Sequence, residues 1–253
     1  MTRVLCVTGT DTDVGKTVVT AALVAAVRAG RRSVAVYKAT QTGVGPGVEG
    51  DVDTVARLLG LRAVREGGQV GEGALLVAEG IRLGAPMAPV DAALLEGGEQ
   101  AVEDLPTLAR HVERVAHLAE LADVVVVEGA GGLLVNLTAA GETVADLAAA
   151  LGARLVVVTR PALGTLNHTA LTLEAALGRG LRDGALVLGA WPSSPSPLHL
   201  ANLTRLEQLA RGSGYAWAHG IPEGLGRRGP AHVVAASTHL AHVVADASRG
   251  RAG

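Results

Sequence analysis

The 253-residue sequence contains no phenylalanine and only two tryptophans and two tyrosines. Leucine, valine and alanine must therefore fill its core. The single cysteine, Cys6, excludes an internal disulfide and fits a reducing compartment. Set inside the apolar run Val4-Leu5-Cys6-Val7, it reads as a small buried hydrophobe. An excess of either charge is also missing: 22 Lys and Arg stand against 24 Asp and Glu. No strong field argues for nucleic acid or an anionic membrane surface, and the expected partner is a small molecule. No apolar stretch reaches the roughly 20 residues of a membrane span. Strand-like residues, soon broken by Gly and Asp, begin at once and do not resemble a signal peptide, so the expected location is the cytoplasm. The length suits one α/β domain over residues 1–253.

What is present begins directly after the first apolar run. Val7-Thr8-Gly9-Thr10-Asp11-Thr12-Asp13-Val14-Gly15-Lys16-Thr17 reads as strand, phosphate-binding loop and helix. Such a turn aims successive backbone N–H groups at phosphate oxygens, and the following helix adds its positive dipole end. Lys16 is placed to reach the terminal phosphates, and the Thr17 hydroxyl to ligate Mg²⁺. Five residues separate Gly9 from Gly15, one more than the usual spacing. The helix is expected from Thr17 to about Ala29, closed by Gly30.

A second strand, Ser33 to Tyr37, ends at Lys38, and a glycine-rich loop is expected from Ala39 to Gly50. Ligands of open α/β sheets bind at strand carboxyl ends, which places Lys38 and Thr42 beside the phosphate loop. Asp51 is expected to cap a helix carrying Val52, Val55, Leu58 and Leu59; Asp51 or Asp53 as a plain cap accounts for this stretch by itself. Residues 65–84 show no regular pattern. A short helix is expected from Val90 to Leu95, after the proline-punctuated Ile81–Pro89, and a longer one from Pro106 to Leu121.

The second strong signal is Val124-Val125-Val126-Val127-Glu128-Gly129-Ala130-Gly131-Gly132. Four valines in a row suit a strand buried on both faces of a parallel sheet. Glu128 at its end is placed to face Thr17 across Mg²⁺, and the glycines allow close approach to an anionic ligand. Another buried strand, Leu155 to Val158, leads to Pro161-Ala162-Leu163-Gly164-Thr165-Leu166-Asn167-His168, where a helix amino terminus forms a second anion site suited to a carboxylate. His168 reads as an exposed or hydrogen-bonded residue rather than a catalyst. A strand from Ala185 to Ala190 leaves through Trp191-Pro192-Ser193-Ser194-Pro195-Ser196-Pro197, read as the rim of the site. Helices are expected over Leu198–Ala210 and His232–Ala247, around a short final strand within Ala216–Pro222, and the tail Arg249–Gly253 is expected to fray.

Taken in this order, the two phosphate-loop and strand-end motifs, Tyr37-Lys38 with Gln41-Thr42-Gly43, Pro86-Met87-Ala88-Pro89 and Leu163-Gly164-Thr165-Leu166-Asn167-His168-Thr169 resemble the dethiobiotin synthetase family over nearly the whole chain. The odd glycine spacing is that family's own. The resemblance implies a doubly wound, mostly parallel sheet of the P-loop NTPase type, with helices on both faces. It implies an ATP-dependent carboxylation of 7,8-diaminononanoate by CO₂ or bicarbonate: a carbamate forms, is phosphorylated, and is attacked by the second amine to close the ureido ring. Lys38 and Lys16 are the implied catalytic residues. Asp13, Val14, Gly15, Lys16, Thr17 and Val18, with Glu128, Gly129, Ala130 and Gly131, are implied to bind the nucleotide. Thr12 and Thr42 are implied to bind substrate, together with Gly164, Thr165, Leu166 and Asn167, the last four completing the site of the neighbouring subunit in a homodimer. Thr17, Asp51 and Glu128 are implied to hold Mg²⁺, with Asp53 an alternative to Asp51.

Two departures bear on these expectations. Lys38-Ala39-Thr40 replaces the common Lys-Pro-Val, loosening the backbone beside the lysine. After Ala190 many members carry an asparagine that reads the base, whereas here stands Trp191-Pro192-Ser193-Ser194; backbone groups of this loop and of Gly220-Ile221-Pro222 are left to do so, and a nucleotide other than ATP, such as CTP, is admitted. Two other functions fit a phosphate loop: a partitioning-type switch ATPase, whose signature lysine is replaced by Asp11, and another carbamate or amide ligase.

Overall fold

The structure is a computed structural model, and it describes residues 3–65, 67–68 and 71–245. The frayed tail expected from Arg249 lies outside them. One eight-stranded, wholly parallel sheet runs β3-β4-β2-β5-β1-β6-β7-β8. Its strands are β1 (Arg3–Gly9), β2 (Val34–Gln41), β3 (Arg62–Val64), β4 (Ala74–Arg82), β5 (Val124–Gly132), β6 (Arg154–Thr159), β7 (Gly184–Leu188) and β8 (Ala216–Ala218). The helices are α1 (Lys16–Ala29), α2 (Asp51–Leu58), α3 (Pro89–Glu103), α4 (Leu108–Leu121), α5 (Val144–Ala150), α6 (Thr165–Gly178), α7 (Pro197–Gly212), α8 (Pro230–Ser237) and α9 (Ala241–Val244).

Alternation along the central strands divides the core in two. Leu5 and Val7 of β1, with Val124 and Val126 of β5, pack against α1, α2, α8 and α9. Cys6, Val125 and Val127 face α4, α5, α6 and α7 on the opposite side. The expected doubly wound sheet with helices on both faces is the observed one. None of the helices among the described residues is long and apolar enough to cross a membrane.

Several element boundaries differ from the sequence reading. β2 continues through Ala39, Thr40 and Gln41, all buried, where a loop was expected. The irregular stretch 65–84 holds β4, whose buried half Ala74–Ala78 is followed by Glu79 and Gly80 on a half-buried end. Gly80 is required there: a Cβ would lie 2.3 Å from the Ala39 carbonyl and 2.5 Å from the Tyr37 hydroxyl. α3 runs to Glu103 instead of Leu95, kinked at Gly98, whose φ of 70° breaks the helical path. The unexpected α5 is capped at Thr143, which accepts from the Asp146 N–H while Asp146 accepts from Thr143. The expected helix 232–247 is two pieces, α8 and α9, joined by a 3-10 turn at Thr238–Leu240; residues 246 and 247 lie outside the described ones. α2 is capped at Gly50, so Asp51 is its first helical residue rather than its cap.

Candidate active site

β1 occupies the middle of the sheet with β5 on one side and β6 on the other, and the loop that leaves it opens between their carboxyl ends. Ligands of such sheets bind at this switch in strand order. The loop 9–15 is tightly folded. A Cβ on Gly9 would lie 2.7 Å from both the Asp11 carbonyl and Val14 Cγ2, and Asp13 and Gly15 take φ of 58° and 98°. Those values bend the chain sharply into α1, whose first residue is Lys16.

Strand register brings the charged residues together. Lys38 on β2 is laterally paired with Glu128 on β5, and parallel neighbours in register point to the same face. Lys38 Nζ therefore lies 2.9 Å from Glu128 Oε1 and donates to the Gly129 carbonyl at 3.0 Å. Asp51, at the start of α2, approaches the same ammonium at 2.6 Å. Thr17 and Thr20, one turn apart on α1, donate to the two Glu128 oxygens at 3.0 and 2.7 Å. Lys38 and Glu128 are almost wholly buried, with 5% and 1% of their side chains exposed. Burial pulls the Lys38 ammonium towards neutrality, but the Glu128 and Asp51 carboxylates outweigh it and hold its pKa above the ordinary lysine value. Lys16, by contrast, is held below that value, by burial first and then by repulsion from Lys38. Its Nζ folds back onto the Asp11 carbonyl at 3.0 Å.

These groups line a cavity of about 430 Å³. Of the residues expected at the nucleotide, metal and reacting groups, Thr12, Asp13, Gly15, Lys16, Thr17, Val18, Lys38, Thr42, Asp51, Glu128, Ala130 and Gly131 all border it. Val14 does not, being buried in the core behind the loop, and Gly129 faces Val144 while lending only its carbonyl to Lys38. Asp53 is turned away: it accepts the Gly50 N–H and pairs with Arg65 at 3.1 Å. Gly164, Thr165, Leu166 and Asn167 are not brought to this cavity. Thr165 is buried in a hydroxyl cluster with Thr159 and Thr169, at 2.7 and 2.8 Å from the Thr159 oxygen, and Asn167 and His168 face solvent. Leu166 borders a larger apolar groove of about 810 Å³ between α6 and α7, which contains none of the phosphate-loop residues. The rim loop does fold back: Trp191 donates to the Ile221 carbonyl, and Trp191, Pro192, Ser193 and Pro195 enclose a separate cavity of about 380 Å³ with Gly220 and Pro222.

Sequence reasoning left three contributors without a role. Thr20 shares a helix face with Thr17 by its spacing of three residues. Gln41 and Val44 border the cavity because β2 runs longer than expected.

The donor set that Thr17, Asp51 and Glu128 offer is one hydroxyl and two carboxylates, hard oxygens of the kind Mg²⁺ takes in a nucleotide complex, where phosphates and water fill its remaining positions. No cluster of three or more His, Cys, Asp or Glu among the described residues would hold a metal without such help.

Comparison with known proteins agrees with the architecture and sharpens it. A family model described as AAA domain matches residues 3–212. The ATP-dependent dethiobiotin synthetase of Rhodococcus jostii is 46% identical over 93% of this chain and 93% of its own length. That of Streptomyces coelicolor is 44% identical over 93% and 90%. Among solved structures, the ParA family ATPase of Chlorobium tepidum superposes with a TM-score of 0.56 at 12% identity, covering 96% of this chain and 92% of that one. MinD of Aquifex aeolicus gives 0.52 at 13%, over 94% and 96%. At such low identity these two speak for the fold alone.

Proposed function

The chain belongs to the ATP-dependent dethiobiotin synthetase family, and on that premise we propose that it closes the ureido ring of dethiobiotin from 7,8-diaminononanoate and CO₂ at the cost of a nucleoside triphosphate. The observation that carries this reading is the meeting of Lys38, Glu128, Asp51 and Thr17 on the floor of a cavity walled by the phosphate loop. The reaction asks little proton transfer of the protein. It asks for cations and N–H donors around a carbamate and a moving phosphoryl group.

Lys38, held charged, neutralises the carbamate and the charge that builds up as its oxygen attacks the terminal phosphorus. Lys16 turns from the Asp11 carbonyl to the phosphates, while the loop N–H groups of residues 13–18 bind them. Thr12 and Thr42 contact the substrate on the side of the cavity that β2 supplies. Thr17, Asp51 and Glu128 hold Mg²⁺, which supplies charge neutralisation at the phosphate oxygens. The diamine's carboxylate is bound by the start of α6, Gly164 to Asn167, from a second copy of the chain. This arrangement explains why that helix start stands apart from the cavity of its own protomer. The exposed Leu163 and Leu171 beside it favour such an apolar contact.

Phosphate release by the purified protein, with the diamine, bicarbonate and Mg²⁺ omitted in turn, tests the reading, with ATP, CTP and GTP compared. Release that requires the diamine is expected. Release indifferent to it would move the chain towards a switch ATPase on the same fold. Lys38→Gln is expected to abolish turnover while leaving nucleotide affinity within a few-fold.

A further inference from the structure

Behind the start of α2, outside the cavity, Arg82 ends β4 and stands in register beside Gln41, the last residue of β2. Its guanidinium grips both oxygens of Glu79, Nε to Oε2 at 2.9 Å and Nη2 to Oε1 at 2.6 Å. A two-pronged pair of this kind fixes the plane of the fork. With the plane fixed, Nη1 donates to the Val48 carbonyl at 2.6 Å and to that of Gly45 at 3.3 Å, and Nη2 comes within 3.7 Å of Asp53. Asp53 in turn accepts the Gly50 N–H at 3.1 Å. From the other side, Gln41 Oε1 accepts the Asp51 N–H at 2.7 Å. Gly50 is wedged between them: a Cβ there would lie 2.6 Å from Arg82 Nη2 and 2.9 Å from Gln41 Oε1.

The segment so held, residues 43–50, contains Gly43, Gly45, Gly47 and Gly50. Free glycine-rich chain samples many conformations, and a residue at its end is correspondingly ill-placed. We infer that Arg82 is a positioning residue: by tying the Gly45 and Val48 carbonyls and the first turn of α2 to Glu79 on β4, it sets where the Asp51 carboxylate stands relative to Lys38 and Glu128. Arg82 does not border the cavity of the phosphate loop. The inference rests on the reading of Asp51 as a metal ligand.

The test is Mn²⁺ binding, measured by electron paramagnetic resonance in the presence of a non-hydrolysable ATP analogue, for the full chain and for Arg82→Ala, Arg82→Lys and Asp51→Asn. Loss of an outer support of a metal ligand weakens binding by about 10-fold or more. Arg82→Ala is expected to weaken Mn²⁺ binding to that degree and to raise the KM for Mg²⁺ more than it lowers kcat. Free guanidinium added to Arg82→Ala restores binding, whereas lysine, lacking the fork, restores little of it. A residue with a merely structural role would lower the melting temperature without a guanidinium-sensitive change in Mn²⁺ affinity, and that result overturns the assignment. Wild-type affinity in Arg82→Ala beside weakened binding in Asp51→Asn overturns the role of Arg82 alone. Unchanged binding in both overturns the reading of Asp51 and the role of Arg82 with it. If Arg82→Ala fails to fold, Glu79→Gln, which leaves the guanidinium present but takes away the two-pronged anchor, is expected to weaken Mn²⁺ binding in the same direction with no response to free guanidinium, and wild-type affinity there overturns the assignment.

Discussion

Glu128→Gln, Lys38→Met and their combination, unfolded in urea without nucleotide or metal, test whether the buried charges are coupled as the geometry indicates. At 2.9 Å and an effective dielectric constant of about 20, the Coulomb attraction between Lys38 and Glu128 is about 6 kcal/mol. Taking each ion out of water costs several kcal/mol, so the intact pair adds little net stability. Breaking it is another matter. Glu128→Gln leaves a buried ammonium with Asp51 as its remaining carboxylate, and because Asp51 is close at 2.6 Å the loss falls at the lower end of the usual range, about 3 kcal/mol. Lys38→Met strands a carboxylate that is 1% exposed and faces another across the site, again at a cost of about 3 kcal/mol. The double variant removes both charges, leaving only the partly exposed Asp51 without its ammonium partner, and is expected to lose no more than about 3 kcal/mol rather than 6, a coupling at or above the top of the measured range for residues in contact. With a denaturant slope of about 3 kcal/mol per molar, each variant's urea midpoint falls by about 1 M. Additive losses, or a single loss below about 1 kcal/mol for Glu128→Gln, would refute the argument.

Three further perturbations probe features away from the charges. Burial pushes His111 down to about 4 from 6.5, so between these values the unfolded chain binds more protons than the native one; stability is complete above about 6.5 and falls by about 2 to 3 kcal/mol as pH drops towards 4. His111→Gln, compared with the parent by urea titration across that window, is expected to flatten this part of the slope. Gly184→Ala places a Cβ 2.1 Å from Tyr215 Cε1 and is expected to cost about 3 kcal/mol in thermal or urea unfolding, part of it recovered by adding Tyr215→Leu. Thr159→Val removes the hydroxyl shared by Thr165 and Thr169 and is expected to cost about 1 to 2 kcal/mol by the same measurement.

The site was legible in the sequence where its chemistry is local. The phosphate loop announces itself by residue order, and Lys38 and Glu128 by standing at the ends of apolar runs. The choice between Asp51 and Asp53 was not legible, because both lie in the first turn of α2. What separates them is that Asp53 turns back to Gly50 and the arginines, a matter of contacts with β4. β4 itself went unread because Glu79 and Gly80 break the apolar run where Arg82 and the Tyr37–His111 pair need them. His111, fully buried and bonded to Tyr37 at 2.6 Å, sits among charged neighbours on α4 that disguise it as a surface residue.

The scarcity of aromatics also decides what light can report. Both tryptophans stand at one edge of the sheet, Trp191 in the loop after β7 and Trp217 within β8, stacked on His219. Indole emission from the native protein therefore reads that edge alone. The opposite half, where β2, β4 and α2 hold Lys38, Arg82 and Asp51, gives no indole emission, and a tryptophan placed at exposed Val48 would give it a voice.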